Sequence, residues 1–349
     1  MKLHAAIVLL LIGNAVSSPF NLLQPFEKAI GKAIGAIANV THTQPDIYIE
    51  DEHGEIVKID LSLIGSGRSL VVEDLQDLVN FYLYTNETGT DAERLYINDT
   101  EAFNSSHFDL SRPTKVATHG WRSSYNASAC TLVRDAYLKH GNYNIIVIDW
   151  SQLAYYDYVF LSQELPKIAQ HISTFLNFLY SQGVDADNVT VVGHSLGAHI
   201  AGLSSYYATE RAGYIVGLDP AGPLFTLKDE RGRISELDGE YVLIIHTTCT
   251  IGLCNELGHA DFYPNGAILQ AGCTNGEVCG HGRAYEYFAE SILYNDFPAR
   301  KCDNYVEFEL GLCNSNDIAY MGGAELNSNV TGKYFLNTNS KSLYGKGSI

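Results

Sequence analysis

Short apolar runs recur through the middle of the chain at 115–118, 144–149, 189–192, 214–218 and 241–247, and stretches of helical period lie between several of them. Near-continuous apolar runs of this length suit strands buried on both faces. Their alternation with helices predicts a mostly parallel central sheet with helices on both faces, an α/β architecture. The best-marked helix is 165–180. Before this body, 46–61 alternates apolar and polar residues around His53-Gly54 and reads as a hairpin. Earlier still, 20–40 puts Phe26, Ile30, Ala33, Ile34 and Ile37 on one helical face, which predicts an amphipathic helix. Packing of that stripe on protein is favoured over anchoring at a lipid surface, because most such stripes bury against a core. The last sixty residues are rich in Tyr, Asn and Gly and read as short strands and loops that close the domain.

The run at 189–192 leads into Gly193-His194-Ser195-Leu196-Gly197 and leaves through Ala198, Ile200, Ala201 and Leu203, an apolar helical face. Strand, G-x-S-x-G and helix in that order form a nucleophile elbow, which holds a serine in crowded backbone geometry so that its hydroxyl is exposed. Gly193 and Gly197 are small because the turn leaves them no room. The five-residue pattern alone is common, and its flanks give it weight. A serine hydroxyl is a weak nucleophile until a base adjoins it and backbone donors face the oxyanion it creates. The helpers are therefore sought at other strand ends.

In this fold the acid and then the histidine follow the serine along the chain, each at a strand's C-terminal end. Asp219 closes the run 214–218 and is followed by Pro220, which cannot donate to a ladder. His246, His259 and His281 are all candidate bases. His246 lies within a strand and His259 precedes an aromatic-rich turn, whereas His281 follows Cys279 and precedes the helical pattern RAYEYFAESIL. One oxyanion donor is expected to be the N–H of Leu196. The second is expected from the His119-Gly120-Trp121 loop, where Gly120 permits close approach, and the N–H of Trp121 is the candidate.

The chain has 349 residues, 46% of them hydrophobic and 18% charged, which suits one large globular core. Lys2, the apolar run 5–12 and Ala15-Val16-Ser17 have the parts of a secretory leader cleaved after Ser17. The expected organisation is a leader at 1–17, an N-terminal extension with helix and hairpin at 18–65, and a catalytic domain at 66–349. N-x-S/T sequons at Asn39, Asn86, Asn98, Asn104, Asn126, Asn188 and Asn329 suit the same export route, as do seven cysteines. By proximity the cysteines pair as Cys249 with Cys254, Cys273 with Cys279 and Cys302 with Cys313. Cys130 is left as a buried thiol. A net charge of −18 disfavours nucleic acid and strongly anionic membranes as partners, and no apolar run is long enough to span a bilayer.

From about Phe81 to about Tyr344 the chain carries FYLYT, KVATHGW, IIVIDW, VTVVGHSLGAHIAG, GLDPAGPLF, YVLIIHT, GHADFYPNG, CGHGRAYEYFAES and GKYFLNTN in order. It thereby resembles the pancreatic-lipase family of secreted lipases and sn-1 phospholipases, especially its single-domain members in insects. The resemblance implies the α/β-hydrolase fold and a catalytic set of Ser195, Asp219 and His281, with Trp121 and Leu196 as oxyanion donors. No cofactor is required for that chemistry. A structural calcium in many members implies Glu230, the Arg233 carbonyl, Ser235 and Asp238 as ligands, although the family usually has aspartate where Ser235 stands.

Two departures shape the expected function. The larger members carry a C-terminal β-sandwich that engages a helper protein of the colipase type, and the resemblance here ends with the catalytic domain, so no such helper is expected. The long helical lid is replaced by the five residues Thr274, Asn275, Gly276, Glu277 and Val278, too few for an amphipathic cover. A short lid and a short flap around Cys249 and Cys254 are similar to the phospholipase members. The expected substrate is a lipid ester, acylglycerol or phospholipid, presented at a micelle or membrane surface to a secreted enzyme. The alternative is a catalytically silent lipid-binding or storage protein, since yolk-protein relatives have lost the catalytic set.

Overall fold

The computed structural model describes residues 47–51, 53–64, 74–274 and 276–348. The expected leader and the amphipathic 20–40 stretch lie outside the described residues. The compact unit runs from Ile47 to Ile349. It opens with the expected hairpin, β1 (Ile47–Glu50) paired antiparallel with β2 (Ile56–Ile59), Ile49 opposite Val57. Ile49 and Ile59 are buried in the main core, so the hairpin packs as part of the catalytic body.

The remaining strands are β3 (Asn80–Tyr84), β4 (Glu93–Leu95), β5 (Thr114–Thr118), β6 (Asn144–Asp149), β7 (Val189–His194), β8 (Ala212–Leu218), β9 (Gly239–Ile245), β10 (Ala260–Pro264), β11 (Pro298–Lys301), β12 (Ile318–Tyr320) and β13 (Gly332–Leu336). They form one sheet in the order β12-β11-β13-β10-β9-β8-β7-β5-β6-β3-β4. From β13 across to β6 every neighbouring pair is parallel, and antiparallel strands finish both edges. The mostly parallel sheet expected from the apolar runs is therefore present, in the α/β-hydrolase architecture.

Seven helices of the α type occur among the described residues: α1 (Thr100–Ser105), α2 (Ser128–His140), α3 (Ser151–Ala154), α4 (Tyr158–Ser181), α5 (Leu196–Tyr207), α6 (Glu277–Tyr294) and α7 (Tyr305–Glu309). The two-residue period of the strands sorts the core by face. Ile146, Ile148, Val191 and Ile215 join a layer with α4 and α5, while Ile145, Val147, Val192 and Val216 join one with α2 and α6. On α4 the residues Leu165, Ile168, Ile172, Phe175 and Leu179 form a fully buried stripe. Each is worth about 2 kcal/mol of apolar burial, so packing rather than helix propensity holds α4 in place. The sequence pattern starts this helix at 165, where Pro166 would suit a first turn. The observed start is Tyr158, because Tyr158, Val159 and Leu161 are buried too and packing outweighs the bond that Pro166 removes.

Candidate active site

The elbow takes the form its sequence predicts. β7 ends at His194, α5 begins at Leu196, and Ser195 between them has φ 59° and ψ −125°, a conformation that L-residues adopt only under constraint. A Cβ on Gly193 would collide with the Gly197 carbonyl, and one on Gly197 with the His119 carbonyl. The two small residues are thus fixed by sterics. A Cβ on Gly120 would lie 2.8 Å from the Ser195 Cβ, so the His119-Gly120-Trp121 loop abuts the serine. As the first residue of α5, Leu196 has an N–H that receives no intrahelical partner. The loop itself is braced: Trp150 N–H donates to His119 Nε2 at 3.1 Å, the two rings stack, and Trp121 Nε1–H donates to the Tyr156 carbonyl at 2.7 Å.

Asp219 follows β8 and is fully buried, with φ 44°. Its Oδ1 accepts the N–H groups of Thr247 at 2.8 Å and Thr248 at 3.0 Å. Its Oδ2 accepts the Thr248 hydroxyl at 2.6 Å and meets His281 Nδ1 at 2.7 Å. Burial, the largest effect, favours the protonated carboxyl, yet the bonds from His281 and Thr248 outweigh it and hold Asp219 below the ordinary carboxylate value. An ionised carboxylate only accepts, so Nδ1 of His281 carries the proton and Nε2 presents its lone pair. That nitrogen is buried and has no hydrogen-bond partner among the described residues.

His281 and Ser195, 6% and 5% exposed, line one cleft of about 450 Å³ with Gly120, Trp121, Ile251 and Val278. The sequence pattern puts His281 in a loop before a helix, whereas α6 starts earlier, at Glu277, and carries both Cys279 and His281. Gly276, at φ 62°, makes the turn into it. His194 braces this end: its Nε2–H donates to the His281 carbonyl at 3.0 Å. Burial and then the neighbouring His281 push the His194 pKa down to about 3, so the ring is a neutral donor. The rival histidines are otherwise engaged. His246 uses both ring nitrogens, on the Leu253 carbonyl at 2.9 Å and Asp261 at 2.7 Å, and His259 accepts the Val242 N–H at 3.0 Å.

All three expected disulfides form, and Cys130 is buried outside them. Thr248 and His194 escaped the sequence reading, as did the contribution of β1 and the hairpin tip to the cleft, where Ile49, Asp51, His53 and Gly54 form one wall. The signal for Thr248 was its place in HTTC, directly after a strand at the catalytic edge.

A family model described as Lipase matches residues 66–344. The chain belongs to the lipase family. Among curated relatives it is 30% identical over 321 residues to the lipoprotein lipase of Bos taurus, covering 81% of this chain and 66% of that protein. To the lipoprotein lipase of Homo sapiens it is 30% identical over 302 residues, covering 76% and 63%. The chain spans just under two thirds of the length of these relatives. Among solved structures, an esterase B from Lactobacillus Rhamnosis aligns at 17% identity with a TM-score of 0.29, covering 50% of this chain and 67% of that one. Among the described residues no helix is long and apolar enough to cross a membrane.

Two of the four residues implied as calcium ligands in this lipase-family chain, Ser235 and Asp238, are bonded to each other. Asp238 is buried and turns its carboxylate onto Ser235, accepting the N–H at 2.8 Å and the hydroxyl at 3.4 Å in a capping box. Glu230 is exposed, and the Arg233 guanidinium is threaded among the carbonyls of Thr226, Leu227 and Ile234. Calcium takes six to eight convergent oxygens. No group of three His, Cys, Asp or Glu that could hold a metal occurs among the described residues.

Proposed function

We propose that this chain is a secreted carboxylic-ester hydrolase of lipids with Ser195 as nucleophile, Asp219 as orienting acid and His281 as base. The observation that carries the reading is the His281 ring, bonded to Asp219 through Nδ1 at 2.7 Å with Nε2 unpartnered in the cleft that Ser195 lines. The Ser195 hydroxyl attacks the ester carbonyl while Nε2 takes its proton. Negative charge then develops on the carbonyl oxygen, where the N–H groups of Leu196 and Trp121 stabilise it. Collapse breaks the ester bond and His281 returns the proton to the departing alcohol. Water, activated by the same histidine, hydrolyses the acyl-serine and releases the fatty acid. Secretion is supported by the leader pattern and by three disulfides, which persist in oxidising compartments.

The substrate reading extends to phospholipids. The segment between Cys273 and Cys279 is too short to cover the cleft, so a charged head group keeps its hydration at the rim while the acyl chain enters. Release of fatty acid should be followed from phosphatidylcholine vesicles and from triacylglycerol emulsions, with Ser195→Ala as the blank. The expected result is release of the sn-1 chain from phosphatidylcholine. Cleavage of triacylglycerol alone would contradict the phospholipid reading, and cleavage of neither would favour a lipid-binding protein.

A further inference from the structure

The family match begins at residue 66, yet the catalytic cleft is partly built by the hairpin that precedes it. β1 lies against α6, the helix that carries His281, and the chain beyond β1 lines the cleft through Asp51, His53 and Gly54. Asp51 meets the side of the cleft that carries Arg122, and His53 Nε2 lies 3.4 Å from the Tyr155 hydroxyl beside it. Its two carboxylate oxygens have different duties. Oδ1 accepts the N–H groups of His53 at 2.9 Å and Glu55 at 3.0 Å and so shapes the hairpin turn. Oδ2 faces outward to Arg122 Nε at 3.6 Å, while the Asp51 side chain is 1% exposed.

Arg122 directly follows Trp121, the residue whose N–H is assigned to the oxyanion. It sits at φ 51°, a conformation unfavourable for arginine, so something must hold it. Its own N–H donates to the Ala154 carbonyl at 2.9 Å, and its guanidinium lies over the rings of Trp121 and Tyr155. Its Nε is buried and makes no hydrogen bond among the described residues, which leaves the Asp51 carboxylate as the charge that compensates it. The Arg122 side chain is 25% exposed, so without the opposing carboxylate its buried Nε–H is left unpaired and the guanidinium would swing further toward water. That movement would take the backbone of the 120–122 loop with it.

We infer that Asp51 is a positioning residue for the oxyanion loop, acting through Arg122, and that the hairpin is therefore a working part of the active site. The inference rests on the reading of Trp121 N–H as an oxyanion donor. Asp51→Asn is the near-isosteric test, since it retains an oxygen for the hairpin N–H groups and removes the charge that faces Arg122. Arg122→Gln approaches the same contact from the other side. With a soluble short-chain ester such as p-nitrophenyl butyrate, each variant should lose about tenfold in kcat with KM changed less than twofold, because oxyanion contacts act on the transition state. The double variant should be no slower than the slower single variant. A lowered melting temperature with unchanged kcat, or single effects that multiply in the double variant, would overturn the inference. An active wild type beside equally active variants fails this inference alone, whereas a wild type inert toward every ester fails the enzymatic reading beneath it.

Discussion

At the scale of single residues, the geometry turns on how Asp219 is held. Four donors converge on a fully buried carboxylate, and together they overcome a burial that would otherwise protonate it. Asp219→Asn keeps the shape and loses the charge that fixes the His281 tautomer, so kcat should fall by about ten-thousandfold. The same substitution has a signature in acid. A carboxylate whose folded pKa lies below its unfolded value stabilises the fold fully above that unfolded value, near 3.8, and loses this contribution as pH falls through the folded one. The melting temperature of the wild type should therefore fall more steeply below about pH 4 than that of Asp219→Asn. Parallel curves would show that folding does not lower the Asp219 pKa. Ser195, Gly193 and Gly197 were legible because their spacing is dictated by sterics along one short segment. His281 was the better placed of three candidate histidines in the sequence, and the family blocks set it apart from His246 and His259, whose ring contacts are long-range. Thr248 and His194 bond across loops; the place of Thr248 in HTTC after a strand hints at its position, while nothing in the immediate sequence of His194 points to its bond to the His281 carbonyl.

At the scale of elements, the main differences from the sequence pattern lie at helix starts. α4 begins seven residues before 165 because its first turns are buried, and α6 begins at Glu277, so that a helix rather than a loop presents His281. That places Cys279 two residues before His281 on one rigid element. The bridge from Cys273 to Cys279 closes a loop with a sequence separation of only 6, so constraining the unfolded chain contributes about 2 kcal/mol. Its larger effect should be on the position of α6. Replacing both cysteines by serine should lower kcat by at least tenfold while the melting temperature falls by only a few degrees. A large loss of melting temperature with kcat intact would assign the bridge to stability instead. The 46–61 hairpin was legible from its alternation, but its place in the cleft was not, because a period of two says which face is buried and not against what.

At the scale of the whole molecule, the alternation of apolar runs and helical stretches was enough to give a mostly parallel sheet covered on both faces. The order of eleven strands was not, since β13 slots between β11 and β10 and β5 between β7 and β6 through contacts distant in sequence. That order nonetheless explains the site. Ser195 and Asp219 follow the adjacent parallel strands β7 and β8, so their backbones meet along the C-terminal edge of the strands, and His281 reaches the same edge from a helix packed on one face. The central claim is that this edge holds an activated serine. The most direct measurement treats the folded protein with a serine-directed alkyl phosphonate ester and maps the adduct by mass spectrometry. The account predicts one adduct per chain, on Ser195, lost in Ser195→Ala and slowed in His281→Ala. Folded protein that remains unlabelled, or that is labelled at another serine, would contradict it.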